Sequence, residues 1–267
     1  MVEFENVCYE KDGARILKNV TFSLNDGDFA ALTGANGAGK STLLKMFNGL
    51  NKPTSGRVTI NGADTRKTKT SVLAKTVGFL FQNPDTQICK NTVREEIAFG
   101  LTCVGRDRKY INEKCESVIA EFGFSGDKAP FSMSRGERQK LALASILAVE
   151  PELLVLDEPT TGLDCAERAK LMDVMRMLNE KGVTVVMATH DMELVMEYAR
   201  TMLVISDGEI KTCGGVRAVM KDVRTLDAAR LLPSQTAGLA LELGVGFEDV
   251  YTNGEMLERI IERRAAE

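Results

Sequence analysis

The chain has 267 residues, 44% of them hydrophobic, so it can bury a sizeable core in one large domain or in one domain with an appendage. Its 34 Lys and Arg against 38 Asp and Glu give a formal net charge of -4, which removes the usual electrostatic argument for a dedicated nucleic-acid binder. The longest apolar runs, such as Leu141 to Val149, fall far short of the roughly 20 residues that cross a bilayer. Residues 1–6 lack the pattern of a signal peptide. We expect a cytoplasmic protein that binds no nucleic acid.

The cysteines are scattered without a C-x-x-C pair, and His190 is the only histidine, so no metal-ligand spacing is present. Disulfides belong mainly to small secreted domains, and this chain is long. We therefore expect the cysteines to be reduced and mostly buried. They are Cys8, Cys89, Cys103, Cys115, Cys165 and Cys213.

Strand-like and helix-like segments alternate along the chain, which predicts an α/β fold. Turns are expected at residues 25–27, 61–62 and 207–208, where Asn or Asp precedes Gly. Short apolar or alternating runs between turn residues predict the strands. They are Val2 to Cys8, Val20 to Leu24, Phe29 to Thr33, Arg57 to Ile60, Val77 to Phe81, Leu153 to Leu156, Val183 to Ala188 and Met202 to Ile205.

Helical periodicity takes over between Thr92 and Glu121, and Thr92 with Glu95 has the spacing of a capping box. We expect a helical insertion over about residues 90–150. The last segment reads as short helices, the final one opened by Thr252 and carrying an apolar stripe. The stripe consists of Met256, Leu257, Ile260 and Ile261. The predicted domains are residues 1–220 and a small appendage over residues 221–267.

A phosphate-binding loop is predicted at residues 34–42, which satisfy G-x-x-x-x-G-K-[ST] directly after the strand Phe29 to Thr33. Its glycines let backbone N–H groups point at phosphate oxygens, and the next helix presents its N-terminus to anionic charge. Lys40 can reach the β- and γ-phosphates, and Ser41 would supply a hydroxyl to Mg²⁺. The expected nucleotide-binding residues are Asn36, Gly37, Gly39, Lys40, Ser41 and Thr42.

Two carboxylates, Asp157 and Glu158, end the apolar run that begins at Leu153. Asp157 would hold the Mg²⁺ shell, and Glu158 could orient the water that attacks the γ-phosphate or accept its proton. A parallel strand running into a solvated acidic turn is the plain alternative. Their place about 120 residues after the phosphate loop favours the catalytic interpretation.

The order of these motifs resembles the ABC ATPases over about residues 1–220. The resemblance implies a P-loop NTPase core with an antiparallel β subdomain, a helical subdomain and a C-terminal appendage, which binds ATP and Mg²⁺ and hydrolyses ATP. It assigns Tyr9 to adenine stacking, Gln82 to the glutamine loop that senses Mg²⁺, and His190 to the switch histidine at the γ-phosphate. A plain edge-strand tyrosine and a core imidazole are the alternatives for Tyr9 and His190. Residues 161–164 fit the loop that faces a second subunit.

Residues 132–139 lie where the ABC family has its L-S-G-G-Q signature. Ser134 and Gly136 match, and could grip a γ-phosphate presented by a second subunit. Ser134 and Glu137 also have the spacing of a capping box, and both roles are compatible. Three positions depart from the family pattern: Met133, Arg135 and Glu137.

The resemblance implies a head-to-tail pair in which each ATP lies between one subunit's phosphate loop and the other's signature. We therefore expect a second ABC ATPase subunit, identical or paralogous, with the appendage helping the pair to form. ATP would close the pair and hydrolysis would release it.

Phe81 to Gln87, followed by Thr92 to Gly100, looks like the ATPases of energy-coupling factor (ECF) transporters, which import vitamins and cobalt or nickel ions. The resemblance implies docking of a transmembrane scaffold protein at Gln82 to Gln87, a separate substrate-capture membrane protein, and a peripheral location on the inner face of the cell membrane. The ATPase of another ABC importer or exporter is the main alternative. A soluble ABC remodelling factor and a small-molecule kinase are weaker ones.

Overall fold

The computed structural model describes residues 1–247 and 249–266. Its strands are β1 (Val2–Lys11), β2 (Ala14–Leu24), β3 (Phe29–Thr33), β4 (Ser55–Ile60), β5 (Ala63–Asp64), β6 (Val77–Leu80), β7 (Leu153–Asp157), β8 (Thr184–Ala188), β9 (Thr201–Ser206) and β10 (Glu209–Gly215). Its helices are α1 (Lys40–Phe47), α2 (Thr70–Leu73), α3 (Val93–Cys103), α4 (Arg108–Phe122), α5 (Arg135–Leu147), α6 (Cys165–Glu180), α7 (Met192–Tyr198), α8 (Val216–Lys221), α9 (Val223–Ala228), α10 (Gln235–Leu243) and α11 (Asn253–Ala266).

Two sheets organise the chain. A six-stranded sheet has the order β10-β9-β3-β8-β7-β6, in which β9 through β6 run parallel and β10 is an antiparallel edge strand. Every residue of β3, β7 and β8 is buried, as expected of parallel strands covered on both faces. The second sheet is antiparallel, with the order β2-β1-β4-β5.

Aromatic side chains fill the space between the two sheets. The ring of Phe4 stacks on that of Phe22 with centroids 4.5 Å apart, and it lies 5.0 Å from the ring of Phe47 at the end of α1. Phe4 and Phe47 are almost fully buried. Burying side chains of this size stabilises the fold by about 1.5–3 kcal/mol each. This packing fixes α1 between the sheets.

The helices α3, α4 and α5 pack together and share an apolar cluster with the parallel sheet. Buried Ile97, Leu101 and Leu141 share a cluster with Leu154 and Leu156 of β7. The helix predicted to open at Thr92 begins at Val93, and Thr92 and Glu95 form the expected capping box. Across the described helices, none combines the length and apolar character of a membrane span.

The C-terminal helices extend the packing on the parallel sheet: α8 contacts β9 and β10 directly, and α7 and α9 contact α8. Buried Val195 of α7 shares a cluster with Val204 of β9, Val219 of α8 and Leu226 of α9. The stripe predicted on the last helix divides: Met256 packs on α10, whereas the other three side chains are exposed. These exposed residues are Leu257, Ile260 and Ile261.

Several sequence predictions require correction. The strand β10 and the two-residue β5 were not predicted, and β2 begins at Ala14 instead of Val20. The expectation of mostly buried cysteines is wrong, because Cys8 and Cys115 are buried but the other four are exposed; all six are free thiols. The three predicted turns are present, with Asn61 and Asp207 in the left-handed region before their glycines.

Gly208 should be the more costly of two turn glycines to replace. Its φ is +80°, and a side-chain carbon there would lie 2.2 Å from the carbonyl oxygen of Ile16. Gly13, with φ +78°, has no atom within 4 Å of that position. We expect Gly208→Ala to lower the free energy of unfolding by about 3 kcal/mol and Gly13→Ala by about 1 kcal/mol, measured by urea denaturation. Equal losses would show that the close approach to β2 is relieved without cost.

Candidate functional site

Four loops that carry predicted site residues meet at one edge of the parallel sheet. They follow β3, β6, β7 and β8, and these strands are neighbours in the order β3-β8-β7-β6. Ligands of open parallel sheets bind outside the carboxyl ends of the strands. A cleft of about 420 Å³ opens here, and it brings together most of the predicted residues. Its lining consists of Ile16, Asn36, Gly37, Gly39, Lys40, Ser41, Thr42, Gln82, Glu158 and His190.

The phosphate loop is shaped by backbone geometry. Gly39, the N-cap of α1, has φ +107°, and a side-chain carbon there would lie 2.9 Å from Cδ2 of Leu17. The N-terminus of α1 has no side-chain cap and no acidic residue in its first turn. Its first N–H groups therefore remain available to an anion, which is the arrangement that binds phosphate.

Lys40 is buried at the floor of the cleft. Its Nζ donates to the carbonyl oxygens of Gly34 at 2.7 Å and Ala35 at 3.1 Å. Burial lowers the pKa of Lys40, while the carboxylates of Glu158 and Asp157 oppose that shift. A buried ammonium whose hydrogen-bond acceptors are neutral backbone carbonyls can turn toward an incoming phosphate, which offers it a charged acceptor.

Asp157 and Ser41 lie together, as predicted for a Mg²⁺ site. Asp157 is buried, and burial raises the pKa of its carboxyl, whereas the hydrogen bond from Ser41 acts in the opposite direction. Gln82 lines the same cleft as Ser41, so the hydroxyl, carboxylate and amide groups of these three residues offer oxygen atoms, which Mg²⁺ prefers. These residues fit the ion.

The carboxylate of Glu158 is contacted by residues of two other loops and by one residue of its own loop. Its Oε2 accepts hydrogen bonds from Nε2 of Gln82 at 2.7 Å and from the hydroxyl of Thr161 at 3.3 Å. Its Oε1 lies 3.6 Å from Nδ1 of His190. The backbone of Glu158 has φ +47°, an unfavourable region for a residue with a side chain. The carboxylate is thus held over the cleft by neighbouring loops.

His190 is exposed at the mouth of the cleft, so it is not a core imidazole. The next residue, Asp191, caps α7 by accepting hydrogen bonds from the N–H groups of Glu193 and Leu194. Its other carboxylate oxygen contacts Nη1 of Arg168 at 2.7 Å. The loop that carries His190 is therefore tied to α6.

The signature residues lie outside the cleft, at the start of α5. Ser134 and Glu137 form the capping box that the spacing predicted. The guanidinium of Arg135 covers Gly162, where a side-chain carbon would lie 3.0 Å from its Nη1. The side chain of Glu167 packs against Gly136, and its Oε1 would lie 2.4 Å from a side-chain carbon placed at that glycine. The signature is therefore packed through two glycines against the loop at residues 161–164 and the start of α6.

Tyr9 is not among the residues that line the cleft. Its ring packs on the core between the sheets, and its hydroxyl donates to Oδ1 of Asn51 at 3.3 Å. Adenine stacking by Tyr9 stays a prediction. Sequence reasoning missed Ile16, which lines the cleft. It predicted Thr161 only as part of the loop that faces a second subunit, whereas the hydroxyl of Thr161 contacts the carboxylate of Glu158. Ile16 was missed because the strand β2 was expected to begin after it.

Comparison with known proteins agrees with the fold and the cleft. A family model described as ABC transporter matches residues 17–161. An ABC transporter ATP-binding protein of Methanosarcina mazei is 44% identical over 238 residues, 88% of this chain and 40% of that protein. The energy-coupling factor transporter ATP-binding protein EcfA of Methanocaldococcus jannaschii is 39% identical over 258 residues, 94% of this chain and 92% of that protein. The structure of CbiO1 from Clostridium perfringens, part of the ABC transporter complex CbiONQ, has a TM-score of 0.73 at 30% identity, covering 85% of this chain and 94% of that chain.

The chain belongs to the ABC transporter family and carries its ATP-binding P-loop ATPase domain. The predicted fold class and the predicted family are therefore confirmed. The chain spans 40% of the length of the Methanosarcina relative and nearly the full length of EcfA.

Replacing Asp157 by asparagine should stabilise the protein at neutral pH. Because the folded-state pKa of Asp157 is raised, its ionised form destabilises the fold, and this penalty develops as pH rises above the unfolded value of about 3.9. We expect Asp157→Asn to raise Tm by about 2 °C at pH 7 and by less near pH 4, measured by calorimetry. Asp173→Asn, an exposed control, should shift Tm by less than about 1 °C at either pH. A gain that does not depend on pH would contradict this account.

Proposed function

We propose that this chain is the ATP-hydrolysing subunit of an ECF-type ABC importer, which powers uptake of a vitamin or transition-metal ion through separate membrane subunits. The carrying observation is that Lys40, Glu158 and His190 line one cleft, beside the pair of Ser41 and Asp157. A phosphate cradle next to an oriented carboxylate suits attack of water on a terminal phosphate.

The residues of the cleft have separate roles in the proposed hydrolysis. The loop amides and Lys40 bind the β- and γ-phosphates. Ser41, Gln82 and Asp157 would hold Mg²⁺, which supplies charge neutralisation for the phosphate oxygens. Glu158 orients the attacking water and accepts its proton, with Gln82 and Thr161 fixing its Oε2. His190 lies beside Glu158, faces the γ-phosphate and stabilises the negative charge that develops on the phosphate during hydrolysis.

A second ABC ATPase subunit completes the site in this proposal. Ser134 and Gly136 lie at the start of α5 and do not line the cleft of their own chain. The start of α5 is exposed at Ser134 and Arg135, so it can meet the phosphates of a nucleotide held by another subunit. Closure of the pair would then depend on ATP and would end with hydrolysis.

Glu158→Gln should stop turnover and keep nucleotide binding. The amide still fits between Gln82 and Thr161 but cannot accept the proton, so we expect kcat for ATP hydrolysis to fall by at least about a hundredfold and a closed dimer to accumulate with ATP. Lys40→Ala is the contrasting variant and should lose nucleotide affinity itself. Hydrolysis assays and size-exclusion chromatography with light scattering measure both. Unchanged turnover in Glu158→Gln would remove its catalytic role.

Docking of a scaffold protein is proposed at the segment Gln82 to Gln87 and its exposed surroundings. Asp85 forms an ion pair with Arg138 of α5 at 2.7 Å, and Oε1 of Gln87 accepts the N–H of Phe81. These two side chains therefore shape the segment and join it to the signature helix. Phe99 on α3 is exposed, and Nζ of Lys90 lies 4.1 Å from its ring centroid. The ring of Phe99 offers an apolar contact to a membrane partner.

Co-purification from native membranes tests the ECF branch. The tagged chain should recover a multi-helix scaffold and a substrate-capture protein, which would also place it on the inner face of the membrane. Phe99→Glu should reduce that recovery by about tenfold or more, whereas Val72→Glu, at an exposed apolar residue of α2, should not. Recovery of a different class of ABC permease would replace the ECF assignment and leave the ATPase, and recovery of ribosomes or DNA factors would overturn transport.

The segment 221–267 is proposed to help two ATPase subunits pair. Leu257, Ile260 and Ile261 give α11 an apolar face that is exposed in the described part of the chain. Apolar faces of this kind are stabilised by burial against a partner.

Ile261→Asp should weaken dimerisation without unfolding the chain. A charge on the exposed apolar face loses apolar burial and must be desolvated, so we expect the dimer dissociation constant to rise by about tenfold or more in analytical ultracentrifugation. Glu258→Gln, on the same helix and also exposed, is the matched control and should leave it unchanged. The same dissociation constant in both variants would place pairing elsewhere.

A further inference from the structure

The helix that follows His190 depends on its neighbours for its position. The helix α7 has only seven residues, and a helix this short is not stable alone. Its buried Met192 and Val195 belong to the same apolar cluster as Ala31 of β3 and Ala237 of α10. The position of α7 is therefore set jointly by the parallel sheet and by the C-terminal appendage.

Two carboxylates in the first turn of α7 connect it to different parts of the chain. Asp191 contacts Arg168 of α6. Glu193 turns the other way, and its Oε1 accepts the backbone N–H of Gln235 at 2.6 Å. Gln235 is the first residue of α10, where N–H groups have no partner inside the helix. A hydrogen bond to a charged acceptor is among the stronger ones.

The loop before α10 lines a second cleft that adjoins the nucleotide cleft. This second cleft, of about 560 Å³, lies between residues 34–36 and His190 on one side and residues 230–235 on the other. It shares Asn36 and His190 with the nucleotide cleft. Ser234, which is buried, fixes this loop by accepting the N–H of Ala237 at 3.2 Å.

We propose that the C-terminal appendage positions the switch histidine: the N–H of Gln235 holds Glu193, and through α7 keeps His190 turned toward the γ-phosphate. This role rests on the proposed function of His190 in ATP hydrolysis. Glu193 and Gln235 are not among the residues that line the nucleotide cleft, and they act through the orientation of α7.

Removal of one N–H group tests the proposal. Gln235→Pro deletes the donor at a position where proline suits a helix, the first turn, whereas Gln235→Ala keeps the backbone N–H. Glu193→Leu removes the acceptor, and Glu193→Gln keeps an oxygen acceptor. We expect Gln235→Pro and Glu193→Leu to lower kcat by about three- to tenfold with KM for ATP within about twofold of the parent. Gln235→Ala and Glu193→Gln should lose less than about twofold.

The single histidine of the chain provides a second readout. In NMR spectra of the full chain with a tag that contains no histidine, the ring C–H signals of His190 should shift in Gln235→Pro and stay in place in Gln235→Ala. A loss of general stability without reorientation would leave these signals at their parent positions.

Three results would overturn the proposal: parent kcat in both Gln235→Pro and Glu193→Leu, equal loss in Gln235→Ala, or His190 signals that do not respond. Failure of the proposed function would give a different result, because the His190→Ala variant would then hydrolyse ATP at the parent rate.

Discussion

The carboxylate of Glu158 is the point at which the loops of the nucleotide cleft meet. It accepts a hydrogen bond from Gln82 after β6, another from Thr161, and faces His190 after β8, while its own N–H donates to Ala188. These contacts exist only because β7 lies between β6 and β8 in the parallel sheet. Pairing in another strand order would separate the loops. The left-handed backbone at Glu158 is held against its own preference by these neighbours.

Local patterns were enough to predict most of the fold. Buried parallel strands read as apolar runs, and capping boxes at Thr92 and Ser134 read directly from residue spacing. The strand β10 was missed because its residues alternate only between exposed and half-buried and end in two glycines. Its conformation comes from pairing with β9. The exposure of four cysteines is likewise set by tertiary packing.

The candidate site was likewise predictable only where local sequence spacing defines it. Lys40, Asp157 and Glu158 could be predicted because phosphate loops and strand-end acids have fixed local spacing. The contacts that position the side chains around the cleft could not be predicted in this way. Thr161 reaches Glu158 through a turn, and Glu193 reaches Gln235 across 42 positions of sequence. No periodicity encodes such pairs, since they depend on which elements pack together.

The reciprocal packing of Arg135 on Gly162 and of Glu167 on Gly136 joins two segments that lie far apart along the chain. Each side chain fills the space above the other segment's glycine, so neither segment can shift without the other. A side-chain carbon at Gly136 would require the carboxylate of Glu167 to move, and one at Gly162 would crowd the guanidinium of Arg135 and strain a backbone with φ +80°. Across related chains an arginine at the position of Arg135 should therefore accompany a glycine at the position of Gly162, and an acidic residue at the position of Glu167 should accompany a glycine at the position of Gly136.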